Sequence, residues 1–202
     1  MNPTLHSGAV RAGWPPAGRW GQWIRRWLLP ALLLLAIAPR VPAAEDPALE
    51  YKVKAGFLFN FAKFVEWPSK AFDATNSPIV IGIRADDPAA PVLQLALQGK
   101  VANGRSLAVK LLPDTAGLSS CHIFFLGRTQ KERFEDMLAR AQGLPVLTVG
   151  EMDEFAHRGG MVNFVRKDEA FRFDVNLDAA EKVGLKVSGK LASMATIVKP
   201  RK

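Results

Sequence analysis

The 202-residue sequence contains a single cysteine, Cys121, so no disulfide can form within the chain. It has three histidines, and His6 lies far from the other two, His122 and His157. A zinc site needs three or four such ligands at suitable spacing, which Cys121-His122 alone cannot supply. No G-x-S-x-G elbow, no G-x-x-x-x-G-K phosphate loop and no G-x-G-x-x-G after the first strand is present. The usual hydrolase, nucleotide and dinucleotide readings therefore lack support, and the sequence implies no metal and no cofactor. Acid is missing altogether from residues 1–44, which hold Arg11, Arg19, Arg25, Arg26 and Arg40. The formal charge of +8 on the whole chain falls to +3 beyond residue 44, where 22 basic residues face 19 acidic ones. So small an excess gives no electrostatic footprint for nucleic acid, which is excluded as a partner.

Four of the five tryptophans also fall in the first 44 residues. Arg25-Arg26 precede an apolar run from Trp27 to Ala38, followed by Val41-Pro42-Ala43-Ala44. This is the order of a charged region, an apolar region and a small-residue cleavage site. The run is shorter than the roughly 20 residues a membrane-spanning helix needs. Residues 1–44 are expected to be a cleavable signal peptide, by the general secretory or the twin-arginine route, and residues 45–202 a single periplasmic domain.

In that domain, Val53, Phe57, Leu58, Phe61, Phe64 and Val65 recur at helical spacing between Glu50 and Glu66, and Pro68 ends the pattern. Phe59 and Lys63 fall on the opposite stripe, with Trp67 at its edge. Phe59 there requires either a partner protein or a covering element of the same domain. Strands are expected at 79–83, 107–112, 122–126 and 146–149, with helices over 88–98 and 128–142 between them. That alternation predicts a three-layer α/β/α sandwich with a mostly parallel sheet of about six strands. Met161–Arg166 and Phe171–Asn176, separated by a charged turn, complete it as an antiparallel hairpin at the sheet edge. In this reading Arg172, Asp174 and Asn176 point outward, Asp178 and Ser188 cap short helices, and His122 is a structural histidine. Cys121 reads as a small buried residue. The carboxyl ends of parallel strands are the usual place for a ligand. They present Asp86, Asp87, Arg128 and Gly150-Glu151, which serve equally well as helix caps and turns.

Several segments together carry a resemblance. They are Tyr51–Pro68, Cys121-His122-Ile123-Phe124-Phe125, Leu147-Thr148-Val149 leading to Gly159-Gly160-Met161-Val162-Asn163-Phe164, and Arg172-Phe173-Asp174-Val175-Asn176-Leu177 continuing to Lys190-Leu191. In this order they resemble the YfiR-type family of periplasmic regulatory proteins. The resemblance implies an α/β protein without catalytic activity. Its best-understood relatives inhibit an inner-membrane diguanylate cyclase by contacting its periplasmic sensor region, and an outer-membrane lipoprotein can sequester the inhibitor. Those relatives carry further cysteines in disulfides, whereas here Cys121 stands alone. The resemblance assigns no contact residues; the exposed aromatics and outward polar groups nominate Phe59, Lys63, Trp67, Asn163, Arg172, Asp174 and Asn176 for a partner protein. A membrane sensor other than a cyclase, a small ligand at Asp86, Asp87 and Arg128, and a homodimer remain alternatives.

Overall fold

The computed structural model describes residues 46–167 and 170–201. The expected leader, two residues of the hairpin turn and the last residue of the basic tail lie outside them. Among the described residues no helix is long and apolar enough to cross a membrane.

Helix α1 (Pro47–Phe64) opens where Asp46 accepts a hydrogen bond from the Ala48 amide and Pro47 sits at the first turn, where its missing N–H costs nothing. Its buried stripe is Lys54, Ala55, Leu58, Phe61 and Ala62. Five of the six expected apolar residues, Phe57, Leu58, Phe61, Phe64 and Val65, lie in or against the core; Val53 is the exception, 40% exposed, and Lys54 takes the inward position beside it. Val65–Glu66 leave the helix as strand β1, which pairs antiparallel with β9 (Lys186–Val187).

The main sheet contains β2 (Ile79–Arg84), β3 (Val101–Ala102), β4 (Arg105–Leu112), β5 (Ile123–Leu126), β6 (Leu147–Gly150), β7 (Val162–Lys167), β8 (Ala170–Val175) and β10 (Thr196–Ile197). Their spatial order is β10-β8-β7-β6-β5-β2-β4-β3, and β4, β2, β5, β6 and β7 are mutually parallel. The six expected strands are all present. Two-residue strands extend the sheet at both sides, β3 as a hairpin arm on β4 and β10 outside the β7–β8 hairpin. The β3–β4 turn is Asn103-Gly104, both at positive φ. That is the type I′ requirement which an Asn-Gly pair satisfies.

Each face of the sheet carries a core. Ile79, Ile81, Ile83, Ile123, Phe125, Val149, Phe164 and Phe173 face α1 and α2 (Ala90–Leu97). Phe124, Leu126 and Cys121 join Phe134, Met137 and Phe155 on the side of α3 (Phe134–Ala141). Strand β5 alternates between the two cores and is buried throughout, which is why its sequence is uninterrupted in apolar residues. The segment 128–142, expected as one helix, is a 3-10 turn (Arg128–Arg133), interrupted within by Gln130 at non-helical φ and ψ, followed by α3.

The hairpin corrects two site expectations. Asn176 does not point outward: it is wholly buried, its Oδ1 accepts from the Ala179 amide (3.0 Å), and its Nδ2 donates to the Ala156 carbonyl (2.8 Å). It caps α4 (Leu177–Lys182), the role expected of Asp178, which lies in the first turn instead. Asn163 is also buried and accepts from the Met152 amide (3.2 Å). Both short amides stand where buried backbone groups need a partner that no ladder supplies. Ser188 caps α5 (Gly189–Ser193), as expected.

Candidate functional site

The nominated side chains divide between the two ends of the parallel strands. At the amino ends, the Trp67 Nε1 donates to the His122 carbonyl (3.1 Å), and the half-buried ring stands nearly perpendicular to the His122 imidazole. Phe72 stacks on that imidazole at 4.4 Å, and the Arg105 guanidinium lies 3.7 Å from the centre of the Phe72 ring. Trp67 is thus committed to holding the 68–78 loop, while one side still lines a groove with Glu66, Asp73 and Asn103. Lys63 is exposed, its ammonium 5.7 Å from the centre of the Phe64 ring.

Phe59 is half-buried and packs against the first core. One side of the ring is thus taken up by packing within the domain, and the rest remains accessible. A Phe59→Asp substitution is expected to destabilise the protein by about 2–4 kcal/mol in urea unfolding, as loss of a packed ring and entry of a charge would cause.

His122 is a structural histidine. Its Nδ1 accepts from the Val80 amide (3.1 Å) and its Nε2 donates to the Ala71 carbonyl (3.0 Å), an assignment fixed by the two partners. Burial is the main force holding its pKa below the ordinary value. The Ala71 carbonyl opposes the shift, the Arg105 charge adds to it and Asp73 acts against it. The folded state therefore resists the proton. Below about pH 6.5 the unfolded chain takes it up first, so stability present at neutral pH is lost as pH falls toward the lower folded value. The urea midpoint should drop between pH 7 and 5, and His122→Gln should flatten that part of the profile.

At the carboxyl ends lies an arrangement the sequence pattern did not expose. Lys54 is completely buried and its Nζ contacts the carboxylates of both Glu50 and Glu151. The Arg128 side chain closes the group from outside, 3.0 Å from Glu50 and 3.6 Å from Glu151, and its amide donates to Glu151 (3.1 Å). The Tyr51 and Phe171 rings flank the ammonium at 5.2 and 5.4 Å. Two cations and two anions leave the cluster neutral. Nearby Asp87 is buried and accepts from the Ala89 amide (2.9 Å). Burial raises its pKa, the Ala89 amide acts against this, and the Glu151 charge adds to it. A Cβ on Gly127 would come 2.3 Å from Asp87 Oδ2, so only glycine lets the carboxylate sit against the end of β5. The expected ligand trio is only loosely assembled: Asp86 is exposed and gripped by Arg84 (2.8 and 2.9 Å), Asp87 faces inward, and Arg128 covers the cluster.

Arg128 also lines an open groove of about 610 Å³ with Glu151, Met152, Asn163, Phe164 and Asp174. Asp174 is half-buried there, and burial raises its carboxyl pKa. The structure thus brings Arg128, Asn163 and Asp174 together and leaves Lys63 and Trp67 at the far ends of the strands. Arg172 is exposed beside a smaller groove formed with Phe57, Asn60, Phe171 and Met194. Among the described residues no group of three or more His, Cys, Asp or Glu could hold a metal ion. Cys121 is buried, and burial raises its thiol pKa, so the thiolate a nucleophile needs is disfavoured.

A family model described as YfiR/HmsC-like matches residues 51–196. The chain belongs to the YfiR/HmsC-like family. The matched span starts at Tyr51, in α1, and ends in β10, so it takes in both cores and both ends of the strands. Membership is consistent with a periplasmic regulator of cyclic di-GMP signalling and with a non-catalytic role. No curated protein matches the sequence. Among solved structures, the chain is similar to a conserved domain protein from Vibrio cholerae O1 biovar El Tor, at 15% identity and a TM-score of 0.45, over 60% of this chain and 55% of that one. It is similar to the ABC domain, in complex with L-Trp, from Streptococcus pneumoniae, at 8% identity and a TM-score of 0.45, over 61% and 55%. The YfiR/HmsC-like chain spans about half the length of these two.

Proposed function

We propose that the protein is an exported periplasmic regulator that binds the periplasmic sensor region of an inner-membrane signalling protein, in the first instance a diguanylate cyclase, and restrains it. The observation that carries this reading is the YfiR/HmsC-like match over residues 51–196. The charged side chains at the carboxyl ends support it, because they are paired with one another and not presented as a reactive set. Release of the cyclase by an outer-membrane lipoprotein that sequesters the regulator belongs to the same proposal.

The contact surface comprises two patches, one of Arg128 and the half-buried Asp174 with the exposed Arg172 of the same strand as Asp174, the other of the exposed Lys63 at the opposite ends of the strands. Phe59, Asn163 and Asn176 support the fold beneath it. Deleting the gene should raise cellular cyclic di-GMP and biofilm mass. Restoring it as Arg172→Glu should fail to lower them while the purified variant unfolds at the wild-type urea midpoint. Unchanged cyclic di-GMP in the deletion strain would exclude the reading. A small-molecule sensor is the second reading, favoured by the 610 Å³ groove at the strand ends. It predicts that a periplasmic metabolite raises the thermal midpoint by mass action and that Arg128→Ala abolishes the rise.

A further inference from the structure

We propose that the open edge of β4 is a docking strip for an extended segment of a partner protein in which apolar and acidic residues alternate. The inference rests on the protein-binding reading above and adds to it a separate surface and a partner chemistry. β4 is eight residues long, yet β3 covers only Arg105 and Ser106 of it. The Leu107 amide still donates to the Lys100 carbonyl across that edge. Val109 and Leu111 project their backbone groups to the same side as Leu107, because direction alternates along a strand. Among the described residues nothing pairs with them there. Such a row of unused donors and acceptors accepts another strand, and main-chain bonds then supply affinity while alternate side chains supply specificity.

The side chains beside the edge define the occupant. On the face toward α2, an open groove of about 540 Å³ runs between that helix and the strand, with Pro91, Leu95, Leu107 and Val109 in its wall and no charged residue lining it. Leu95 is 74% exposed, the most exposed large apolar side chain among the described residues, and Leu111 is 42% exposed at the end of the same strand. The opposite face of the edge presents Lys110, whose Nζ donates to Ser120 Oγ (2.9 Å), and Lys100 stands exposed at the start of the strip. An added strand therefore meets apolar surface on one face and lysine on the other. A second copy of the chain would bring the same lysines to both sides of the seam. A segment bearing acidic residues complements them.

The test uses the purified protein and two capped octapeptides, one alternating valine with glutamate and one alternating valine with lysine. In fluorescence anisotropy the glutamate peptide should bind at least 10-fold more tightly than the lysine peptide, and it should slow hydrogen exchange at the Val109 and Leu111 amides. Val109→Pro removes an outward amide without touching the β2 ladder and should weaken binding at least 10-fold. Leu95→Glu, on the helix and outside the sheet, should do the same if the proline variant does not fold. No saturable binding, equal binding of both peptides, or binding unaffected by either variant would overturn the proposal. So would a wild-type dimer that Val109→Pro dissociates, since the edge would then belong to a second copy. In cells, a folded Val109→Pro protein that restrains cyclic di-GMP as well as wild type would refute the edge alone. A wild-type protein without effect on cyclic di-GMP would refute the regulatory reading, while the peptide result would still decide the edge.

Discussion

Replacing Glu151 by leucine is expected to cost about 3–5 kcal/mol in urea unfolding, and replacing Lys54 by methionine about as much, but the double variant should cost far less than the sum. Lys54 is fully buried and Glu151 nearly so, and the two side chains are in contact. Taking one away leaves the other desolvated, with Glu50 or Arg128 as its remaining partner. Removing both leaves Glu50 and Arg128, which already lie 3.0 Å apart and neutralise each other. The coupling energy should therefore reach at least about 2 kcal/mol, well beyond what distant sites show. Additive losses would mean that Lys54 and Glu151 are each served adequately by the other members of the cluster. The Arg128 amide also donates to the Glu151 carboxylate, so the single Glu151→Leu variant should loosen Arg128 at the groove as well as lower stability.

How far the sequence foretold this molecule depended on whether one element sufficed to make the signal. The buried run Ile123–Leu126 is a local fact, and its strand is found where expected; the first helix is local too, but it ends at Phe64, before Pro68, because Val65–Glu66 leave it to pair with β9. Asn103-Gly104 was a local signal too, and it marks a short hairpin arm that the strand pattern alone passed over. The charged cluster is different. Glu50 and Lys54 show only the four-residue spacing of an ordinary surface pair. Their burial follows from Glu151, 97 positions beyond Lys54 and carried there by the end of β6. Likewise Asn176 alternates with Phe173 and Val175 in the pattern of an outward residue. The chain turns into α4 at that point, and the side chain is drawn inside as its cap. Periodicity describes a strand only while the strand continues.

Phe155 offers the other large effect. Its ring is fully buried, 5.1 Å from the Phe134 ring, in a slot between two glycines. A Cβ at Gly150 would fall 2.3 Å from it and one at Gly160 would fall 2.1 Å from it. Phe155→Ala should cost about 3–5 kcal/mol, since the slot is formed by backbone and can collapse only by moving β6 or the segment that leads into β7. Gly160→Ala should cost about 1–3 kcal/mol or more through overpacking against that ring. Combined, the new methyl group enters space the phenyl ring has left, so the double variant should be more stable than the sum of the two losses predicts. The ring also anchors the stretch whose Met152, Asp153 and Glu154 line the groove beside Arg128. A folded Phe155→Leu protein should therefore show faster hydrogen exchange across 152–160 before it shows any change in the far core around Ile81 and Phe61. Uniformly faster exchange in both cores would instead mean that the two faces of the sheet unfold as one unit, with no local role for the slot.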